Sequence, residues 1–351
     1  MADDNTMLAA RITRHGDADA LELAQIPVPA PGPGQVLVRV AAVALNNTDL
    51  WTREGAYGAP GDPEARSGWR GPIDFPRVQG ADIAGTVEST GAGVDPGLTG
   101  ARVLVDPAIY DGDGDDANPV GLLGSERDGG YAQYVLVEAG RVHDVGDSPL
   151  NDAELACFPT AYGTALGMLE RGGVRAGETV AVTGASGGVG LALVQLAAAR
   201  GCRVIAVSSA GKLDAVREAG AEHVLDRGEG DPWQRIAGLA PEGVDAVLDV
   251  VAGTGLTYGL ETLRDGGRWI VAGALGGADP HLDVRRLYTR NLVLVGSSMH
   301  TPAHFRTLVG IARSGDVRPV IAATFGLDDV HRAQTELATR RHIGKLVLNV
   351  G

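Results

Sequence analysis

The run Thr183-Gly184-Ala185-Ser186-Gly187-Gly188-Val189-Gly190 joins a short apolar segment, 179–183, to a continuous helix former, 187–200. Two chemistries suit that spacing. Gly184, Gly187 and Gly190 permit, in order, a tight turn, close approach of backbone to a pyrophosphate, and close packing of helix on strand. Ser186, Gly188 and Val189 complete the loop, whose helix presents its positive end to phosphate. The same residues also match G-x-S-x-G through Gly184, Ser186 and Gly188, a strand-to-helix turn that could carry a serine nucleophile. Asp249, His281 and His304 lie downstream as possible triad partners. No HGGG-like oxyanion segment precedes the turn, and the chain past Arg203 continues as a second strand-helix step, which favours the dinucleotide.

The second strand, 203–208, runs into Ser208-Ser209-Ala210-Gly211-Lys212 without a carboxylate. A site for NAD usually has Asp or Glu at that point, about twenty residues past the glycines, to bind the ribose hydroxyls. Two hydroxyls and an ammonium suit a 2′-phosphate instead, and Arg227 after the third strand adds a guanidinium. The expected cofactor is therefore NADPH rather than NADH.

Around this loop the sequence alternates strand and helix. After the 187–200 helix and the 203–208 strand come a helix at 212–219, a strand near 223–225, a helix near 232–239, a strand at 245–250, a helix near 256–263 and a strand at 268–272. Such alternation implies parallel strands with helices on both faces. The first portion reads differently. Apolar runs at 36–43, 83–88 and 101–105, bounded by Gly, Pro and Asp, predict strands joined by turns. The Gly/Pro-rich stretch between Thr52 and Pro76 is too punctuated for regular structure and too long for a plain turn. Near the end, helices are expected at 305–313 and 328–339, with a last strand at 345–350.

Several function classes fall away on composition. The 351 residues suit two domains, carry a formal net charge of -14 and include only two cysteines, Cys157 and Cys202. Acidity of that size argues against nucleic acid or anionic membrane as a partner, and two cysteines support neither a disulfide framework nor a four-Cys zinc lobe. The acidic loop 111–118 fails as a calcium loop, because Asp116 stands where Gly is needed and Leu122 where a bidentate Glu is needed. No apolar run is long enough to span a bilayer, and the acidic start Met-Ala-Asp-Asp-Asn-Thr is unlike a secretory signal, so a cytoplasmic protein is expected.

The whole pattern resembles the medium-chain dehydrogenase/reductase superfamily, and more closely its zinc-independent quinone-oxidoreductase, zeta-crystallin-like branch. The motifs carrying the likeness are Pro31-Gly-Pro-Gly-Gln-Val-Leu-Val, Asn46-Asn-Thr-Asp49, Gln79-Gly-Ala-Asp-Ile-Ala-Gly85, Asp128-Gly-Gly-Tyr-Ala-Gln-Tyr134, the Gly-rich loop and Gly344-Lys-Leu-Val-Leu348. The resemblance implies an α/β protein: a GroES-like β-rich catalytic domain from 1–155 and 302–351, wrapped around a Rossmann doubly wound parallel sheet at 156–301, with the active site in the cleft. It also implies a homodimer through the edge strand near Leu292 to Val295.

Zinc-dependent members of the superfamily would place ligands where this chain has Asn46, Ala81 and Ala156. Independently of any likeness, no Cys or His occurs between Gly16 and Val142, so no metal is expected. Without a Lewis acid, reduction of an already electrophilic quinone or α,β-unsaturated carbonyl is easier than oxidation of an alcohol. The run Asn46, Asp49, Trp51, Arg53, Tyr57 resembles the quinone-reductase pattern. It makes Asn46 the expected carbonyl hydrogen-bond donor, Tyr57 a pocket residue or proton donor, and Trp51 a neighbour standing where the family has tyrosine. Asp49 is expected to orient backbone or Arg53, Tyr131 and Tyr134 to pack, and Thr160 to contact nicotinamide or ribose. Val250, Gly273, Ala274, Ser297 and Ser298 follow strand ends, where open α/β sheets bind ligands, and are assigned to the nicotinamide side. His300 and His304 read as surface histidines near a helix start. Remaining alternatives are a zinc-independent alcohol dehydrogenase or carbonyl reductase, a non-enzymatic NADPH-binding crystallin-like protein, and a serine hydrolase using Ser186.

Overall fold

A computed structural model of the chain describes residues 5–58 and 67–351, so residues 59–66 of the punctuated stretch lie outside the described residues. The contacts divide the chain into Met1–Thr160 with Thr301–Gly351, and Ala161–His300. The expected boundaries stood at 155/156 and 301/302; here Thr160 groups with the first unit, where its backbone N–H donates to Asp82 at 2.7 Å.

In the first unit, Gln35–Ala44 is the organising strand. Its sequence QVLVRVAAVA is almost wholly buried, as expected for a strand covered on both faces. It pairs antiparallel with Asp82–Thr90, with Tyr134–Glu138 and with Lys345–Asn349. Arg102–Val105 and Val142–Asp144 extend the seven-stranded sheet on one side. On the other side Ile321–Gly326, a strand not expected from the sequence, runs parallel to Lys345–Asn349. A three-stranded sheet built on Thr6–Ile12 and Leu21–Pro27 belongs to the same unit. Thr52 opens no loop: it lies in the helix Asn47–Glu54, which ends only at Gly55, whose left-handed φ of 72° suits a residue without Cβ.

The second unit is one six-stranded parallel sheet. Its order is His223–Asp226, Arg203–Ser208, Thr179–Val182, Val244–Asp249, Leu263–Val271 and Val293–Gly296. That is the doubly wound 3-2-1-4-5-6 arrangement, whose direction reverses beside Thr179–Val182 and leaves a ligand crevice beyond the carboxyl ends of the strands. The helix Gly188–Ala199 buries Leu191, Leu193, Val194 and Leu196 together, and its weak one-sidedness reflects burial nearly all round. One helix is shorter than expected. Residues 256–263 hold the end of Thr254–Gly259, a single 3-10 turn at Leu260–Thr262, and the first residue of the strand Leu263–Val271. Gly259, the last residue of that helix, lies against the Trp269 ring, which a Cβ there would approach to 2.4 Å.

Candidate functional site

The Gly-rich loop occupies the carboxyl end of Thr179–Val182, at the reversal point of the sheet. Gly184 has a left-handed φ of 57°, which an L side chain strains to adopt. Gly190 is needed for closeness rather than for φ: a Cβ there would lie 2.1 Å from the Gly184 carbonyl oxygen. Gly187 differs from both, because a Cβ on it would meet nothing nearer than that same oxygen at 3.6 Å, which leaves room for a ligand against the backbone. The pattern matches the three duties of a pyrophosphate loop. A Gly190→Val substitution should therefore leave fluorescence titrations with a reduced nicotinamide dinucleotide without saturable binding while the far-ultraviolet spectrum stays that of a folded α/β protein. Retained affinity within threefold would show that the loop does not need the close approach.

Asp249 holds this end of the sheet together. It is buried and accepts from Thr183 Oγ1 at 2.5 Å, Trp269 Nε1 at 2.9 Å, and the backbone N–H groups of Val251 at 2.8 Å and Ala252 at 3.0 Å. Its acceptor sites are thus spent on the sheet, and no histidine is among its partners, which removes it as the acid of a serine triad. The strand-end residues assigned from the sequence gather here. Gly184 packs on Val250, Gly273 approaches the Val250 carbonyl, and Ser297 accepts a hydrogen bond from Arg171 at 3.1 Å while Ser298 stays exposed. His300 is fully buried rather than at the surface, packed against Gly163; His304 forms part of the helix start capped by Thr301.

At the end of the second strand the Ser208 hydroxyl is enclosed and has no hydrogen-bond partner among the described residues. The Arg227 backbone N–H donates to the Ser208 carbonyl at 2.8 Å, and the Lys212 backbone N–H to the Ser209 carbonyl at 3.0 Å. Burial, and next the neighbouring Arg227 guanidinium, hold the Lys212 ammonium below its ordinary range. Two cations set beside each other at a strand end repel unless an anion lies between them.

In the first unit Asn46 and Asp49 lie in one buried polar network. The Lys345 ammonium gives its three hydrogens to the Leu45 carbonyl at 2.7 Å, Asn46 Oδ1 at 2.5 Å and Asp82 Oδ2 at 3.2 Å. Asn46 Nδ2 donates to Asp82 Oδ2 at 2.9 Å and, at the long limit of 3.4 Å, to the Ala44 carbonyl. Ala81 and Ala156, the other two positions matched to metal ligands, are fully buried methyl groups. Cys157, one residue on, is sealed as well; burial pushes its thiol up to about 12.

Beside this cluster, Asp49 accepts from the Asn46 backbone N–H at 2.7 Å and from the Tyr131 hydroxyl at 2.9 Å. Tyr131 therefore does more than pack, and Arg53 turns away from Asp49 to donate to Gln334. Gln334 donates to Gln79 at 3.0 Å, and Gln79 to the Asp49 carbonyl at 2.7 Å, closing the network. Burial raises the Asp49 carboxyl from its ordinary 3.8 to about 7, against the hydrogen bond from Asn46 that favours the anion. Between those two values the folded chain holds a proton that the unfolded chain has released, so stability falls as pH rises through that window. Asp49→Asn should gain on the wild type by about 2–4 kcal/mol between pH 5 and pH 8. Thermal melts at the two pH values check this, and a pH-independent difference in Tm would remove the carboxyl from that role.

Tyr57 donates to Thr48 Oγ1 at 2.9 Å and meets Trp51 edge-on, with ring centroids 5.5 Å apart. Burial pushes its phenol up to about 12, so it keeps its proton throughout the neutral range. Thr160 lies in the π-helical turn Phe158–Tyr162, and its Oγ1 is enclosed without a hydrogen-bond partner among the described residues. Sequence reasoning did not single out Asp82 or Lys345 as site residues. Their signal was a charge inside an apolar strand, which has to find a counter-charge or a ring of donors.

The two units are a GroES-like domain and a Rossmann-like parallel sheet, the two parts of a two-domain oxidoreductase. Family models match on both parts, the alcohol dehydrogenase GroES-like domain at residues 32–147 and the zinc-binding dehydrogenase at 188–314. The rat quinone oxidoreductase is 30% identical, over 97% of this chain and 97% of its own. An NAD-dependent alcohol dehydrogenase of Saccharolobus solfataricus is 29% identical over 97% of this chain and 99% of its own. A crystal structure of a putative alcohol dehydrogenase from Sinorhizobium meliloti 1021 superposes with a TM-score of 0.95 at 43% identity, covering 100% of this chain and 98% of that one. The chain belongs to the medium-chain dehydrogenase/reductase superfamily, in its quinone-oxidoreductase-like branch. Several of its relatives are named NAD-dependent alcohol dehydrogenases, and no helix among the described residues is long and apolar enough to cross a membrane.

Proposed function

We propose that this chain is an NADPH-dependent reductase that passes hydride to a quinone or to the β-carbon of an α,β-unsaturated carbonyl without zinc. The observation that carries the reading is the make-up of the metal positions: an amide and two methyl groups, with the Lys345 ammonium bonded to the amide oxygen. A neutral amide beside a fixed cation is a poor metal ligand. Bound NADPH would supply the hydride. Gly184, Ser186, Gly187, Gly188, Val189 and Gly190 would hold its pyrophosphate, while Ser208, Ser209, Lys212 and Arg227 would hold the 2′-phosphate. Val250, Gly273, Ala274, Ser297 and Ser298 would line the nicotinamide side, and Thr160 Oγ1 would donate to nicotinamide or ribose.

On the acceptor, the loosely held second hydrogen of Asn46 Nδ2 would be given to the carbonyl oxygen as negative charge develops there. Tyr57, neutral and anchored on Thr48, would line the acceptor pocket beside Trp51. A homodimer would form through Val293–Gly296, the outer strand of the six, where Val293 is 47% exposed and Leu294 38%. A cytoplasmic location accords with the same reading.

The test is a panel of quinones, enones and aldehydes followed at the nicotinamide absorbance, with zinc measured on the same sample. Quinone or enone turnover with less than about one zinc per ten chains supports the proposal. Stoichiometric zinc would overturn the metal-free reading, and activity on aldehydes alone would move the chain to the carbonyl-reductase alternative, which the name of the S. solfataricus relative favours. Saturable NADPH binding with no turnover of any acceptor would leave a cofactor-binding protein.

A further inference from the structure

Besides the long bond to the Ala44 carbonyl, the Asn46 amide is held by two partners of opposite and unambiguous character. An ammonium has hydrogens and no acceptor, so Lys345 bonds only to the oxygen end; an ionised carboxylate has acceptors and no hydrogen, so Asp82 bonds only to the nitrogen end. Both partners make further bonds of their own. Lys345 spends its other two hydrogens on Leu45 O and Asp82, and Asp82 also takes the Thr160 backbone N–H at 2.7 Å. All of this is buried, with Lys345 4% and Asp82 0% exposed, so water does not substitute for either partner.

From this arrangement the geometry points to Lys345 as a positioning residue for the reaction: with Asp82 it forms a polarity lock that fixes which end of the Asn46 amide is the donor. An amide turned over by 180° would offer an oxygen to the acceptor carbonyl and repel the charge that forms there. The lysine thus acts through Asn46 and touches neither cofactor nor acceptor. In its kinetic part the inference rests on the proposed function.

Lys345→Met alone would leave Asp82 as a buried unpaired charge and could simply unfold the chain, so the informative protein is Lys345→Met/Asp82→Asn, which removes both charges. In it the new amide at position 82 can either give or accept a hydrogen bond, and orientation is lost. We expect the double variant to melt within a few degrees of wild type and to bind NADPH within about twofold, yet to lose about 30-fold or more in kcat, matching Asn46→Ala, with KM for the acceptor changed far less. The side-chain NH2 of Asn46, identified by its disappearance from the 15N spectrum of Asn46→Ala, should be one exchange-protected pair in wild type and lose protection in the double variant. Wild-type kcat with a still-protected NH2 in the double variant would overturn the lock. Wild-type protein that reduces no acceptor would instead strike the proposed function, and the NH2 signal would then decide the lock by itself.

Discussion

Replacing Lys212 and Arg227 together by alanine is expected to weaken NADPH binding by about 100-fold or more while leaving NADH within threefold. Each cation can form a charge-assisted hydrogen bond to a ribose phosphate, worth about 1.5–3 kcal/mol when desolvated, and every 1.4 kcal/mol is tenfold in affinity. Lys212 is half-buried and Arg227 exposed at the strand end, so the lysine should carry the larger share. The single variants therefore rank Lys212→Ala below Arg227→Ala in affinity, and both should lose their defect as ionic strength rises, because exposed charges are screened. Fluorescence titrations of NADPH and NADH at two salt concentrations measure all of this. An equal loss for both cofactors would show that the pair serves the sheet rather than the phosphate, and would return the choice of cofactor to the open state in which NAD-using relatives leave it.

The second large effect lies in the other unit. Asp82→Ala removes at one stroke the counter-charge of Lys345, the acceptor of Asn46 Nδ2 and the acceptor of the Thr160 N–H. Breaking a buried pair from one side costs about 3–5 kcal/mol, far more than the pair contributes relative to an apolar substitute, because the surviving charge stays desolvated. At about 2–4 °C per kcal/mol for a unit of this size, Tm should fall by about 10 °C. Differential scanning calorimetry is the check. A fall under about 3 °C would mean that the ammonium finds new acceptors or reaches water, and the cluster would no longer be a closed network.

Much of the nucleotide-binding unit could be read from residues alone, since its strands are contiguous apolar runs and its helices are bounded by local signals. Arg203–Ser208 and Pro232–Leu239 have the bounds their sequences predict, the latter because Asp231 caps it, accepting from the Trp233 N–H, with Pro232 at its first position. Where tertiary contact decides, local reading fails. Residues 256–263 look helical, but the α-helix gives way to a 3-10 turn after Gly259, which packs on Trp269. Ile321–Gly326 escapes notice because IAATFG is short and only half-buried, and it is a strand because Lys345–Asn349 offers it an edge.

The same contrast runs through the site. The loop Thr183 to Gly190 is visible because one contiguous segment does the work. The network around Asn46 joins residues 36, 82 and 299 positions apart, and no local pattern records such pairings. His300, which reads as a surface residue, is buried because the segment after Val293–Gly296 turns back against Gly163.

The strand Lys345–Asn349 also sets a timetable. Its partner Gln35–Ala44 is made about 300 residues earlier, and Asp82 waits 263 residues for its ammonium. At about 5–20 residues per second on a ribosome, that is an interval of about 13–50 s. Through it the Ala42–Ala44 edge is open and the Asp82 carboxylate has no counter-ion, whereas Ala161–His300 has every strand it needs within one stretch of chain. The inserted unit can therefore close first, and the nascent protein's need for chaperones is expected to come from the half-built unit waiting on either side of it.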